Sequence, residues 1–300
     1  MYMAKKIGKF VIYFLLICIG YIYLEPIFQM VSKSLMSPED IINPSVEWIA
    51  RHPTLANFKV AAQVLKMPKS LINSILFSAG MAALQTVVAA MAGYALSRYK
   101  FRFRNFWFGM ILLAFIIPTT LLTIPRLMIF INAQEMIGTQ LIGTPIPQLL
   151  MAVLGQGVNG TILILIFWNF FNLIPYSLDE AAMIDGAGPF QVFFHIAMKL
   201  SVATVLTVFL FAFVWNWNET YQTSTFLGGT IDLLPAKLSV FNSQFESAST
   251  SGIGTNGAYK INEAYKMAAT LISIAPLLIL YACVQRQFIQ GIENTGITGE

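Results

Sequence analysis

Apolar runs longer than any soluble core requires dominate this chain, and they leave few folds open to it. Six stretches approach the length of about 20 mostly apolar residues that a bilayer-crossing helix needs. They are Ile7–Val31, Leu71–Leu96, Phe106–Ile131, Ile146–Phe171, Leu200–Trp217 and Met267–Gln285. Charged residues make up only 11% of the chain, against about 25% in a soluble domain. Polar surface is therefore too scarce to dissolve the protein, and lipid must cover part of it. The fold class that follows is an all-α polytopic membrane protein with six transmembrane helices in a single domain over 1–300. Gly155, Gln156, Gly157, Asn159 and Gly160 interrupt the fourth stretch, which predicts a bent span or one whose first half packs against protein.

Other classes fall away on composition. Cys18 and Cys283 lie far apart in apolar runs and read as small packing residues, with neither a disulfide framework nor a metal cluster. The formal charge of +4 is scattered along the chain and builds no nucleic-acid patch. Lys5, Lys6 and Lys9 precede the first apolar run as in a signal peptide. No small-x-small cleavage pattern follows, so a retained first span is the better reading.

Charge also orients the spans. Four basic residues fall within Arg98–Arg104, and with Lys5, Lys6 and Lys9 they place the N-terminus and segments 97–105 and 172–199 in the cytoplasm. Segments 32–70, 132–145 and 218–266 then lie outside. Lys33, Arg51, Lys59, Lys66 and Lys69 count against this assignment, although their density is lower. The 218–266 connection is rich in Gly, Ser, Thr and Asn around Ser247–Gly257 and reads as an exposed loop.

The most informative stretch is the cytoplasmic loop 174–199. Ser177 with Glu180 three residues on forms a capping-box pattern, and Gly186 supplies a left-handed helix end. Gly188 and Pro189 then start a second helix, proline being well tolerated at the first helical position. The product is a helix–turn–helix elbow. Leu178, Ala181, Ala182 and Asp185 share one face of its first helix, and the two alanines leave room for a partner's close approach. So short a helix is unstable alone, so a cytoplasmic partner should hold it.

Glu180-Ala-Ala-Met-Ile-Asp-Gly186, continuing to Ile196, resembles the EAA loop of binding-protein-dependent ABC import permeases. Further stretches resemble the maltose-type carbohydrate-uptake branch of that family. They are Pro53–Phe58 with Asn73-Ser74, Tyr94–Tyr99, Trp215–Glu219 and Gln285–Gly291, so the likeness covers nearly the whole chain in order. It implies a type I ABC importer fold and a subunit that forms half of a sugar or oligosaccharide pathway in the bacterial cytoplasmic membrane. It also implies partners: a second, non-identical permease, two ATPase subunits carrying ATP and magnesium, and an external sugar-binding protein. Coupling to the ATPase would run through 177–186, with Leu178, Glu180, Ala181, Ala182, Asp185 and Gly186 as the contact set. The sequence itself contains no Gly-x-x-x-x-Gly-Lys-Ser/Thr phosphate loop, so this chain is not the ATPase. One departure is Lys199, where the family usually has proline, and a softer bend into the fifth span is expected there.

Candidate residues for the solute path are Asn73, Gln85, Asn216 and Asn218, each able to bond a sugar hydroxyl or a neighbouring helix. Trp215, Trp217 and Tyr221 read as an interfacial aromatic belt. A permease for another polar solute and an ion-coupled secondary transporter are the alternatives. The latter should place ionisable residues at mid-membrane, and Glu25 comes nearest to that. A membrane enzyme would need a reactive cluster that His52 and His195, on opposite sides in this topology, do not supply.

Overall fold

The computed structural model describes residues 2–250 and 263–296, and among them all regular structure is helical. The helices are α1 (Tyr2–Ser34), α2 (Pro38–Ile42), α3 (Ala56–Val64), α4 (Lys69–Arg98), α5 (Arg104–Ile116), α6 (Thr119–Ile137) and α7 (Ile146–Val153). They continue as α8 (Gly160–Leu173), α9 (Tyr176–Ile184), α10 (Pro189–Leu200), α11 (Val202–Asn218), α12 (Tyr221–Leu227), α13 (Leu234–Ser239), α14 (Phe241–Thr250) and α15 (Glu263–Gly296). Three segments are each long and apolar enough to cross a bilayer: Gly8–Ser34, Lys69–Arg98 and Glu263–Gln285. Bent helix pairs raise the number to as many as six.

The third apolar stretch is not one rod. Its helices α5 and α6 meet at 106°, because Pro118 holds the preceding Ile117 in an extended conformation (φ −71°, ψ 123°). The fourth is broken as well. Helix α7 stops at Val153, and α8 starts only at Gly160, after left-handed residues at Gly155 and Asn159. The 218–266 connection departs further from expectation, since α12, α13 and α14 occupy much of 221–250. Hydrophobic anchors explain the order there: Phe226, Leu234, Phe241 and Phe245 are all buried. Of the glycine-rich Ser247–Gly257 stretch, residues 251–257 lie outside the described residues.

The chain divides into two compact units, 1–68 with 237–276 and 69–236 with 277–300. In the first, α1 buries none of its most apolar window. An apolar helix bare on all sides needs lipid or another membrane chain around it. Its end is clamped by buried Asn57, whose Nδ2 donates to the carbonyls of Ser34 (2.9 Å) and Met36 (2.8 Å). That clamp gives the Pro53–Phe58 motif a structural role. Lys33 pairs with Glu263 at 3.0 Å, and Phe245 stacks on Tyr265. Glu25 accepts a hydrogen bond from Gln29 one turn along α1.

The second unit is organised by α4, which packs against α8 and α11. Its buried face repeats small residues every four positions, at Ser70, Ser74, Ser78, Ala82, Thr86 and Ala90. Such a stripe lets helix backbones approach closely where lipid offers no hydrophobic drive. The approach is tightest at Gly93, where an added Cβ would lie 2.7 Å from Phe167 Cβ and 2.8 Å from the Trp168 nitrogen. Large side chains fill the opposite side, with Leu163, Phe167, Phe171 and Val208 fully enclosed. Trp217 is buried too, stacked on Phe213, so it is a packing residue rather than part of an interfacial belt.

Candidate functional site: the 174–200 elbow

The elbow forms where expected, but its first helix is held differently. The residue preceding α9 is Pro175, and no side chain caps that end. Ser177 sits inside the first turn, so the expected Ser177–Glu180 capping box does not form. Proline in extended geometry (φ −58°, ψ 134°) starts the helix one residue before that pattern. What fixes the start comes from the end of α4 instead. Asp179 lies 3.2 Å from Arg98 Nε, with the two side chains only 6% and 3% exposed. Arg98 Nη2 donates to the Ile174 carbonyl at 2.9 Å, and its guanidinium lies 4.5 Å from the centroid of the Tyr176 ring. The Tyr176 hydroxyl donates to the Ser97 carbonyl at 2.7 Å. Asp179 also places negative charge in the first turn, where the helix dipole favours it.

This latch changes the reading of the basic run. Arg98 is a buried structural cation, which leaves Lys100, Arg102 and Arg104 as its loop charges. Local pattern missed the pair because Asp179 follows Arg98 only after two further spans. An arginine at the very end of a long apolar helix was the available signal.

The end of α9 matches expectation closely. Gly186 adopts φ +86°. Its N–H donates to the Met183 carbonyl at 3.1 Å, and the Ala187 N–H to Ala182 at 2.9 Å. Together these make a Schellman motif, which satisfies the last carbonyls of the helix. Gly188 then precedes Pro189 at the first position of α10, and Gln191 Oε1 accepts the Gly188 N–H at 2.8 Å. Helix α10 contains a π-helical turn over Phe193–Ala197 and meets α11 at 80°. The softer bend expected from Lys199 is therefore not seen. Buried Ser201 stops α10 by itself, its N–H bonding the Ala197 and Met198 carbonyls and its hydroxyl bonding Met198 again.

Anchored on one side, α9 presents the other. Leu178 is 43% exposed and Ile184 86% exposed. Glu180, Ala181, Met183, Asp185 and Gly186 are exposed as well, and Ala182 is half-buried. Ile184 and Met183 extend the face beyond the expected set. Together with Leu178 they leave more apolar area bare on this short helix than the alanines alone would.

The four candidate path residues divide. Gln85 and Asn216 meet in the interior, Asn216 Nδ2 donating to Gln85 Oε1 at 3.2 Å and to the Ala212 carbonyl at 2.7 Å. Gly157 passes so close over Gln85 that a Cβ there would overlap its amide. The pair thus ties α4 to α11 beneath the broken part of the fourth stretch. Asn73 donates to the Asp232 carbonyl at 3.2 Å. Asn218 is exposed at the end of α11 and is not brought to the others.

Comparisons with known proteins agree with this architecture. A chain of a bacterial ABC transporter involved in the import of the acidic polysaccharide alginate superposes with a TM-score of 0.68 at 19% identity, covering 95% of this chain and 98% of that one. The two chains share one fold. A probable ABC transporter permease protein of Pyrococcus horikoshii is 24% identical over 91% of this chain and 92% of its own length. The sn-glycerol-3-phosphate transport system permease protein UgpE of Pectobacterium atrosepticum is 28% identical, covering 75% and 72%. The probable starch degradation products transport system permease protein AmyC of Thermoanaerobacterium thermosulfurigenes is 22% identical, covering 95% and 96%. The model of the binding-protein-dependent transport system inner membrane component matches residues 85–294, a span that holds the latch, the elbow and the broken fourth stretch. This chain belongs to that family of inner-membrane transport components.

Proposed function

We propose that this chain is one membrane half of an ATP-driven importer for a sugar or oligosaccharide, and that α9 transmits the ATPase stroke to the spans. The observation that carries the proposal is the two-sided character of α9. One face is locked to the end of α4 by a buried ion pair, and the other offers Leu178, Ala181 and Ile184 to a partner. A rigidly anchored helix with a bare apolar face passes on a push, whereas a floppy loop would absorb it. The contact set is Leu178, Glu180, Ala181, Ala182, Asp185 and Gly186, with Met183 and Ile184 added. Its partners are a second permease, two ATPase subunits and an external binding protein. The carbohydrate class rests on the relatives named for starch degradation products and for sn-glycerol-3-phosphate.

Sidedness belongs to the same proposal, with the elbow in the cytoplasm. Two cations that weigh against it face acids, Lys33 on Glu263 at 3.0 Å and Lys69 on Asp232 at 4.0 Å. They therefore count less as free outer charges. In vesicles reconstituted with the whole complex, uptake of a solute retained by its binding protein should require ATP and ignore a protonophore. Uptake that collapses with the protonophore and ignores ATP would make the protein ion-coupled. A retained solute containing no sugar would remove the carbohydrate assignment alone.

A further inference from the structure

Arg126 stands in the apolar helix α6, between Pro125 and Leu127. An ionisable side chain inside a membrane helix is costly and belongs to a site more often than to packing. Its Nη2 donates to Gln156 Oε1 at 2.9 Å, and among the described residues no carboxylate lies within 4.0 Å of it to form an ion pair. A guanidinium has five N–H donors, so most of this one's capacity is unspent.

Gln156 comes from 154–159, the non-helical stretch that breaks the fourth span. Irregular backbone at membrane depth persists only where protein buries it or where it lines a water-filled cavity. Here it lines a cavity of about 80 Å³, together with Ile117, Thr119, Arg126, Asn159 and Thr161. That is the space of a few water molecules, enough for one oxyanion group and too small for a sugar ring. Two helix starts also border it, α6 at Thr119 and α8 at Gly160, and neither carries a side-chain cap. Both contribute partial positive charge, while no acidic residue lines the cavity. A lone arginine, two uncapped helix starts and a broken span converge on one small space of mixed polar and apolar lining.

We propose that this cavity binds the carboxylate or phosphate group of an anionic solute, with Arg126 as the binding residue and Gln156 holding its guanidinium in place. The inference rests on the importer reading and narrows its substrate class to acidic or phosphorylated sugars and polyols. The same oxyanion chemistry could be supplied by a lipid headgroup, and the test separates the two sources.

The full chain, purified in a phosphate-free maltoside detergent with the subunits that accompany it, is melted without ATP at fixed ionic strength. Sodium glucuronate, sn-glycerol-3-phosphate and inorganic phosphate are compared with chloride, with neutral maltose and with phosphatidylglycerol. At least one soluble oxyanion should raise the melting temperature saturably, and Arg126→Gln should weaken that half-saturation by about tenfold or more, as loss of a charge-assisted pair requires. Arg126→Lys, which keeps the charge but not the fork, should fall between them. It also serves if the glutamine variant does not assemble. The proposal is overturned if no soluble oxyanion acts, if Arg126→Gln and Arg126→Lys respond like the parent, or if phosphatidylglycerol alone gives the shift. Because no ATP or transport enters the measurement, its failure leaves the importer reading standing, and failed ATP-driven uptake leaves this one standing.

Discussion

Replacing Asp179 with alanine should release the elbow and cost the folded protein about 3–5 kcal/mol, the penalty for leaving a buried cation without its partner. Arg98 has few other ways to be satisfied, since neither its Nε nor its Nη1 makes a hydrogen bond and Asp179 meets it as an ion pair only. Arg98→Ala should be at least as damaging, because it also removes the bond to the Ile174 carbonyl and the contact with Tyr176. The double variant Arg98→Met/Asp179→Leu gives the opposite expectation. Two apolar side chains of similar size remove both charges together, and such exchanges are often neutral or stabilising. Thermal unfolding of the purified complex should therefore show a large loss in each single variant and recovery in the double. Equal losses in all three would mean that the ion pair itself does not hold the elbow.

Gly186→Val should abolish transport while leaving the spans assembled. The position has φ +86°, and a Cβ added there would meet nothing within 4 Å. The damage would then come from backbone conformation, which a β-branched residue strongly resists, and not from crowding. Losing the left-handed residue removes the Schellman bonds from Gly186 and Ala187, so the end of α9 unwinds and Ile184 leaves its place on the exposed face. Ala181→Trp attacks the same face by bulk, and overpacking a tight contact costs about 1–3 kcal/mol. Both variants should co-purify with the partner permease but lose ATP-dependent uptake, either shedding the ATPase or hydrolysing ATP without import. Normal uptake by the combined variant would remove α9 from the coupling route.

The features legible in the sequence were those written locally. The unbroken apolar lengths of α1, α4 and α15 needed no tertiary information, and neither did Gly186 and Pro189 as helix punctuation. Proline was an ambiguous sign elsewhere. Pro26, Pro125 and Pro276 lie inside helices, while Pro118 ends one, and neighbouring helices decide which outcome prevails. The Ser177–Glu180 pattern failed because Pro175 had already set the helix start. The small-residue stripe from Ser70 to Ala90 was readable, but apolar length masked its four-residue period. Arg98–Asp179 and Gln85–Asn216 join residues distant in sequence, and one sequence read alone gives no sign of which residue partners which. Arg98 had a sound local reading as a loop charge, which the latch replaces. Gln85 and Asn216 had two, a sugar ligand and a helix–helix contact, of which the structure shows the second.

Chemical cross-linking should show whether α9 is a cytoplasmic helix in contact with the ATPase. In a background lacking Cys18 and Cys283, single cysteines are placed at Ala181 on α9 and at Ser243, an exposed residue of α14. A short bifunctional thiol-to-amine reagent is applied to the whole complex in membranes. A product joining position 181 to the ATPase subunit is expected, changing in yield when ATP is bound, with no such product from position 243. A product from 243 with none from 181 would contradict both the coupling role of α9 and the side of the membrane assigned to it.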